Sequence, residues 1–149
     1  MNDKMKALAQ RAVASKHWRW MPGMLVKGGS FCRWNQGTVG RVKDNVAVVM
    51  TDNEDDEGWP ADYMVSLSPI VVDGVRQWNM LPDLTDPATR GCIVHLLHNA
   101  VGPTVFLAMM ESRWYVGEYC QINMADRAIT QLFATEAEAL VAALEAADE

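Results

Sequence analysis

At 149 residues the chain has the length of one domain, or of one domain with two lobes; a chain of that size buries roughly 68–70% of its unfolded surface, so neither a disulfide nor a metal is required to hold it together. Apolar residues make up 50% and charged residues 21%, which excludes a disordered composition, and no apolar run reaches the ~18 residues of a membrane span. The net charge of −6 conceals a division: residues 1–43 hold nine Lys/Arg against Asp3 alone, a formal +8, while residues 44–149 hold four basic and eighteen acidic residues, a formal −14.

Such a division has two readings. A one-signed surface steers partners of the opposite sign, whereas unlike segments can equally attract each other within one fold. Four Lys/Arg precede His17 without the apolar stretch of a secretory signal, and Cys32, Cys92 and Cys120 are odd in number and lack a CxxC spacing. Both features point to reduced thiols in a cytosol.

In chain order, residues 3–16 (DKMKALAQRAVASK) have helical spacing, with Met5, Leu8, Ala9, Ala12 and Val13 near one face. The stretch KHWRWMPGM at 16–24 follows, where Pro22 and Gly23 break the helix. Cations interleaved with aromatics (Lys16, Trp18, Arg19 and Trp20, with Lys27 and Arg33 downstream) form a pattern that binds phosphates and stacks bases. The same letters also describe a helix end that drops at least one tryptophan into the core. Beyond it the period changes to two. GMLVKGGSFCRW reads as two strands around Gly28-Gly29, and GTVGRVKDNVAVVMTD as a hairpin turning at Lys43-Asp44-Asn45, with Val39 and Val42 in one arm and Val46, Val48 and Met50 in the other. An acidic loop, DNEDDEG, occupies 52–58, and Asp73-Gly74 marks a second hairpin. The order of these pieces over residues 20–72, ending in WPADYMVSLSPI, resembles small SH3-like barrels, a fold that serves peptide and nucleic-acid binding alike.

In the second half, Asp86 is a natural N-cap with Pro87 at the first helical position, and Gly102-Pro103 stops that helix. TVFLAMM and SRWYVGEY form a hairpin around Glu111-Ser112, AITQLFAT at 128–135 a third strand, and Thr135 with Glu138 a capping box for the last helix. The expected fold is α+β: an N-terminal helix and a small β-rich section, then helix, three-stranded antiparallel sheet, helix. It is read as one unit over 1–149 with candidate lobes 1–80 and 81–149. HWRWMPGM, LPDLTDPATRGC and ATEAEALVAALEAA, in that order, resemble a family of small uncharacterised bacteriophage and prophage proteins. The resemblance implies a phage origin and a bacterial cytoplasm, and it supplies neither an activity nor functional residues.

Cys92, His95 and His98 fan across one side of the second helix and could ligate zinc or form a Cys–His dyad, or they could be plain solvated side chains, and no further ligands stand at metal spacing. The acidic loop lacks the twelfth-position Glu of an EF-hand, because Met64 stands there. GxSxG, P-loop and HExxH patterns are missing. The chain is therefore read as a non-enzymatic accessory module that binds a host or phage protein, with Asp52, Glu54, Asp55, Asp56 and Glu57 as its contact and with no cofactor, metal or membrane. The alternatives are nucleic-acid binding through Lys16, Trp18, Arg19, Trp20, Lys27 and Arg33, and an enzyme built on Cys92 and His95.

Overall fold

Strands that bury one face alternate apolar and polar residues, and helices that bury one stripe repeat them every three or four. Among the described residues both periods are realised, as an α+β arrangement of three helices and antiparallel sheets. The computed structural model describes residues 1–28, 36–50, 62–120 and 122–149, with Tyr63 described by its backbone. Contacts divide the chain into two units, Met1–Asn2 with Trp20–Thr89, and Asp3–Arg19 with Arg90–Glu149.

The first unit carries a five-stranded antiparallel sheet. Its strands are β1 (Leu25–Gly28), β2 (Gln36–Lys43), β3 (Val46–Met50), β4 (Asp62–Ser66) and, after a hairpin of β5 (Ile70–Val72) and β6 (Val75–Gln77), β7 (Met80–Pro82). The order is β4-β3-β2-β1-β7. Pro82 sits on the edge strand β7, where the missing N–H costs the ladder least. Asp73 and Gly74 both take left-handed φ (50° and 77°), as a two-residue turn between twisted strands requires. Val26, Val39, Ala47, Val49, Val65 and Met80 are buried beneath the sheet, and Leu81, paired with Lys27, is buried on its other side. Helix α2 (Pro87–Ala100) starts as its cap predicts: the Asp86 carboxylate accepts from the Thr89 N–H and from its hydroxyl, both at 2.8 Å. The fully buried Thr89 hydroxyl accepts in turn from the Leu25 N–H at 2.9 Å, tying the helix start to β1.

The second unit packs α3 (Glu136–Asp148) on a three-stranded sheet, β8 (Val105–Met110), β9 (Arg113–Cys120) and β10 (Ala125–Ala128), in the order β10-β9-β8, with α1 (Asp3–Ala14) against α3. Both bonds of the Thr135/Glu138 capping box are made. Both helices bury small residues: Ala9 and Ala12 on α1, and Ala139 and Ala143 on α3, are fully buried. The third strand pairs at 125–128, ahead of the 128–135 expected from the sequence. Beyond Ala128 the ladder is broken, because the Ile129 and Thr130 N–H groups both donate to Val116 O and the Thr130 hydroxyl takes the Val116 N–H. Pairing resumes only at the Trp114–Phe133 bridge.

Val105 and Val116 lie on the buried face of this sheet, and Phe106, Tyr115 and Gly117 alternate onto the other. There the Phe106 ring lies over Gly117 and meets Tyr115 edge-on, with centroids 6.0 Å apart at 82°. A Cβ on Gly117 would come within 2.6 Å of the ring. Gly117→Ala should therefore lower stability by about 1–3 kcal/mol through overpacking. In a Phe106→Ala background the same change should cost nothing; chemical denaturation of the four-member cycle measures both, and an equal cost in both backgrounds would refute the assignment.

Candidate binding groove

The residues singled out between α1 and β1 are drawn into the second unit by the end of α3. Helix α3 has no basic residue in its last turn, and it ends in Asp148 and Glu149, the wrong sign for the carbonyl end of a helix dipole. The segment after α1 supplies what is missing. The Lys16 ammonium donates to Asp148 O, His17 Nε2 lies 3.0 Å from Ala147 O, and the Ser15 hydroxyl donates to the Asp148 carboxylate at 2.9 Å. The Arg19 guanidinium folds back on the carbonyls of Lys16 and Trp18, at 3.0 and 2.7 Å, and Trp18 is buried. Further along the same helix pair, Lys4 meets Glu138 at 2.7 Å and Arg11 meets Glu145 at 2.6 Å.

Trp20 and Lys27 belong to the first unit. Trp20 is half-buried, and the Lys27 ammonium lies 3.2 Å from the buried Asp83 carboxylate, whose other oxygen accepts from the Thr85 hydroxyl at 2.6 Å and its N–H at 3.0 Å. Arg33 and the acidic residues Asp52, Glu54, Asp55, Asp56 and Glu57 lie outside the described residues, as does the second strand expected after Gly28-Gly29. On α2, Cys92 and His98 are half-buried and His95 is exposed. The His98 ring Nε2 is 2.9 Å from Val105 O. Among the described residues no three His, Cys, Asp or Glu side chains are grouped as metal ligands.

The surface that does present unclaimed chemistry is the outer face of β2, β3 and β4. Val39 and Val42 are three apart, so a regular strand could not turn both inward. The ladder between β2 and β3 shifts register between Val39 and Arg41, leaving Gly40 as the extra residue of a bulge. Val39 and Val42 thus face the same side, while Arg41 and Lys43 turn outward with the bulge behind them. Cross-strand pairing then assembles two rows on the outer face, Arg41–Val48–Met64 and Lys43–Val46–Ser66. With Asp44 in the turn, they line a shallow groove of about 530 Å³. Its floor is aliphatic: Met64 is 78% exposed and Val46 39%. Neither cation is paired with a carboxylate among the described residues.

The groove is backed by the fully buried Ala47 and Val49, and its turn is held by Asn45, whose carbonyl accepts the Leu67 N–H at 2.9 Å and whose side-chain amide donates to the Ser68 hydroxyl. Arg41, Lys43 and Met64 escape a reading of motifs, and the signal that locates them is the odd spacing of the two valines. No protein-family model, curated protein or solved structure matches the chain.

Deleting Gly40 should straighten β2 into a regular strand in which Val39 and Val42 are two apart and still inward, with Arg41 and Lys43 still outward. The deletion variant should keep a cooperative melt, and its loss would contradict the assignment of Gly40 as the extra residue. Gly40→Ala meets only the mobile end of Met50, 3.1 Å away, and should shift the midpoint little. A pH dependence follows from Asp83. Burial pushes its carboxyl up, but hydrogen bonds from Thr85 and Lys27 outweigh it and hold the group below its ordinary 3.8. A depressed folded value gives stability that is present above 3.8 and lost as pH falls through that folded value. Urea midpoints should favour the wild type over Asp83→Asn at neutral pH, and the gap should close below the ordinary carboxylate value; a gap constant down to pH ~3 would contradict this.

Proposed function

We propose that the chain is a non-enzymatic module that binds a protein partner through the groove on β2–β4, as an accessory protein of a bacteriophage or prophage acting in the bacterial cytoplasm on a host defence or regulatory factor. One observation carries the binding assignment: two outward cations without carboxylate partners among the described residues stand beside an exposed aliphatic floor on paired strands. An exposed methionine and two valines gain by being covered, at about 25 cal/mol per Å² of apolar surface, and the cations select the sign of what covers them. The lining favours protein over nucleic acid. Among the described residues it holds no ring on which a base could stack, and two cations neutralise too few phosphates for firm binding at physiological salt. The phage setting rests on the three sequence motifs and on the small size of the chain.

The test is capture from bacterial lysate by the tagged full chain, with and without nuclease, beside Arg41→Glu/Lys43→Glu and a control reversal at Lys6, which is exposed on α1. The expected result is a nuclease-resistant protein at near-equal stoichiometry, retained by the control and reduced at least about tenfold by the groove variant, the usual scale for losing charge pairs in a contact. Recovery that collapses with nuclease, or a partner indifferent to the groove variant, would overturn the assignment. Neutralising residues 52–57 in the same assay tests the acidic run as a separate contact.

A further inference from the structure

The arrangement of charge across the groove restricts the shape of its occupant. Both cations stand on β2, two residues apart and therefore about 6.6–6.8 Å apart along the strand. The aliphatic side chains stand on β3 and β4, displaced sideways by one and two strand spacings, about 4.8 and 9.6 Å. A ligand lying along the strands must therefore show an acidic stripe and an apolar stripe side by side. An extended segment cannot do this, since each of its faces carries a single row of side chains. Laid across the strands, it would reach only one of the two cations.

An α-helix shows two adjacent stripes as a matter of course. Residues i and i+4 are separated by about 6 Å along its axis, close to the spacing of Arg41 and Lys43, and i+3 and i+7 form the neighbouring stripe. Its diameter of about 10–12 Å matches the breadth of three strands. We infer that the groove receives an amphipathic helix of the partner, with acidic residues at i and i+4 over Lys43 and Arg41 and apolar residues at i+3 and i+7 over Val46, Val48 and Met64.

Two carboxylates sharpen the match. Asp44 closes the groove at the β2–β3 turn, so the acidic stripe must end short of it or meet it with a helix N-terminus, whose dipole suits a negative charge. Asp62 lies on β4 in the next row, opposite Met50 and on the aliphatic side, where it repels a helix laid down with its stripes exchanged. The order of acid and apolar across the groove is thus enforced by attraction on one side and repulsion on the other.

The inference rests on the assignment of the groove as the contact, and one selection separates the two. Random peptides about 16 residues long, enough for four helical turns, are displayed and selected on the full chain, with Arg41→Glu/Lys43→Glu as counter-selector. Both substituted positions are exposed, and the melting curve of the variant verifies its fold. The expected peptides carry acids four apart flanked by apolar residues at three and seven, gain helical circular dichroism on binding, and lose at least about tenfold in affinity for the variant. Groove-dependent peptides with a two-residue period, or without acids, would overturn the helix and leave the groove standing. Peptides that bind the wild type and the variant alike, or no enrichment at all, would overturn both.

Discussion

A strand can turn only every second residue toward a core, and β2 turns two valines that are three apart, the buried Val39 and the half-buried Val42, to the same side. The bulge at Gly40 is the solution, and much of the first unit follows from it. It keeps Val39 opposite Val49 and Val42 opposite Ala47 in the ladder, so the buried side of the sheet stays apolar. The same shift sends Arg41 and Lys43 outward together. A glycine at this point also leaves room for the Met50 thioether, which lies against it. The groove is therefore a by-product of how the core is closed, built on paired strands rather than on a loop.

In the second unit the basic N-terminal segment serves the fold. Exposed pairs such as Lys4–Glu138 and Arg11–Glu145 contribute at most about 1 kcal/mol each, too little to decide whether the helices associate. The packing of α1, whose Leu8, Ala9, Ala12 and Val13 are buried, against the alanine-rich α3 does that. The charges act on register instead. Three contacts along α1 and its C-terminal turn, at Glu138, Glu145 and the last carbonyls of α3, fit only one sliding position. Lys16 and His17 also supply the compensation that α3 lacks in its own last turn. The sequence asymmetry between +8 and −14 is partly an internal complementarity, expressed where the two chain ends meet.

What could be read from the letters alone was local. Thr135 and Glu138, Asp86 and Pro87, and Asp73-Gly74 act within four residues of themselves, so their caps and turns follow from residue type. The α+β class followed from the change of period between 1–20 and 24–50. The groove was hidden because its residues meet only across strands, and a bulge cannot be told from a poor strand until the partner strand is known. Thr130 illustrates the same limit: AITQLFAT has strand letters, but a hydroxyl that competes for the Val116 N–H interrupts the ladder, and pairing begins earlier, at Ala125. KHWRW shows the converse, since a motif that looks like a nucleic-acid surface supplies several atoms to the end of a helix more than a hundred residues away.

That last separation has a consequence in time. Arg11 and Glu145 are 134 positions apart, and α1 has no other helix than α3 among its main contacts. At a synthesis rate of about 5–20 residues per second, the first helix leaves the ribosome roughly 7–27 seconds before the last one exists. Through that interval α1 lacks the helix it packs on, and residues 20–89 are complete well before α3 is made. The second unit is thus assembled from the two ends of the message, and the newborn chain carries a sticky, positively charged helix until its final residues arrive.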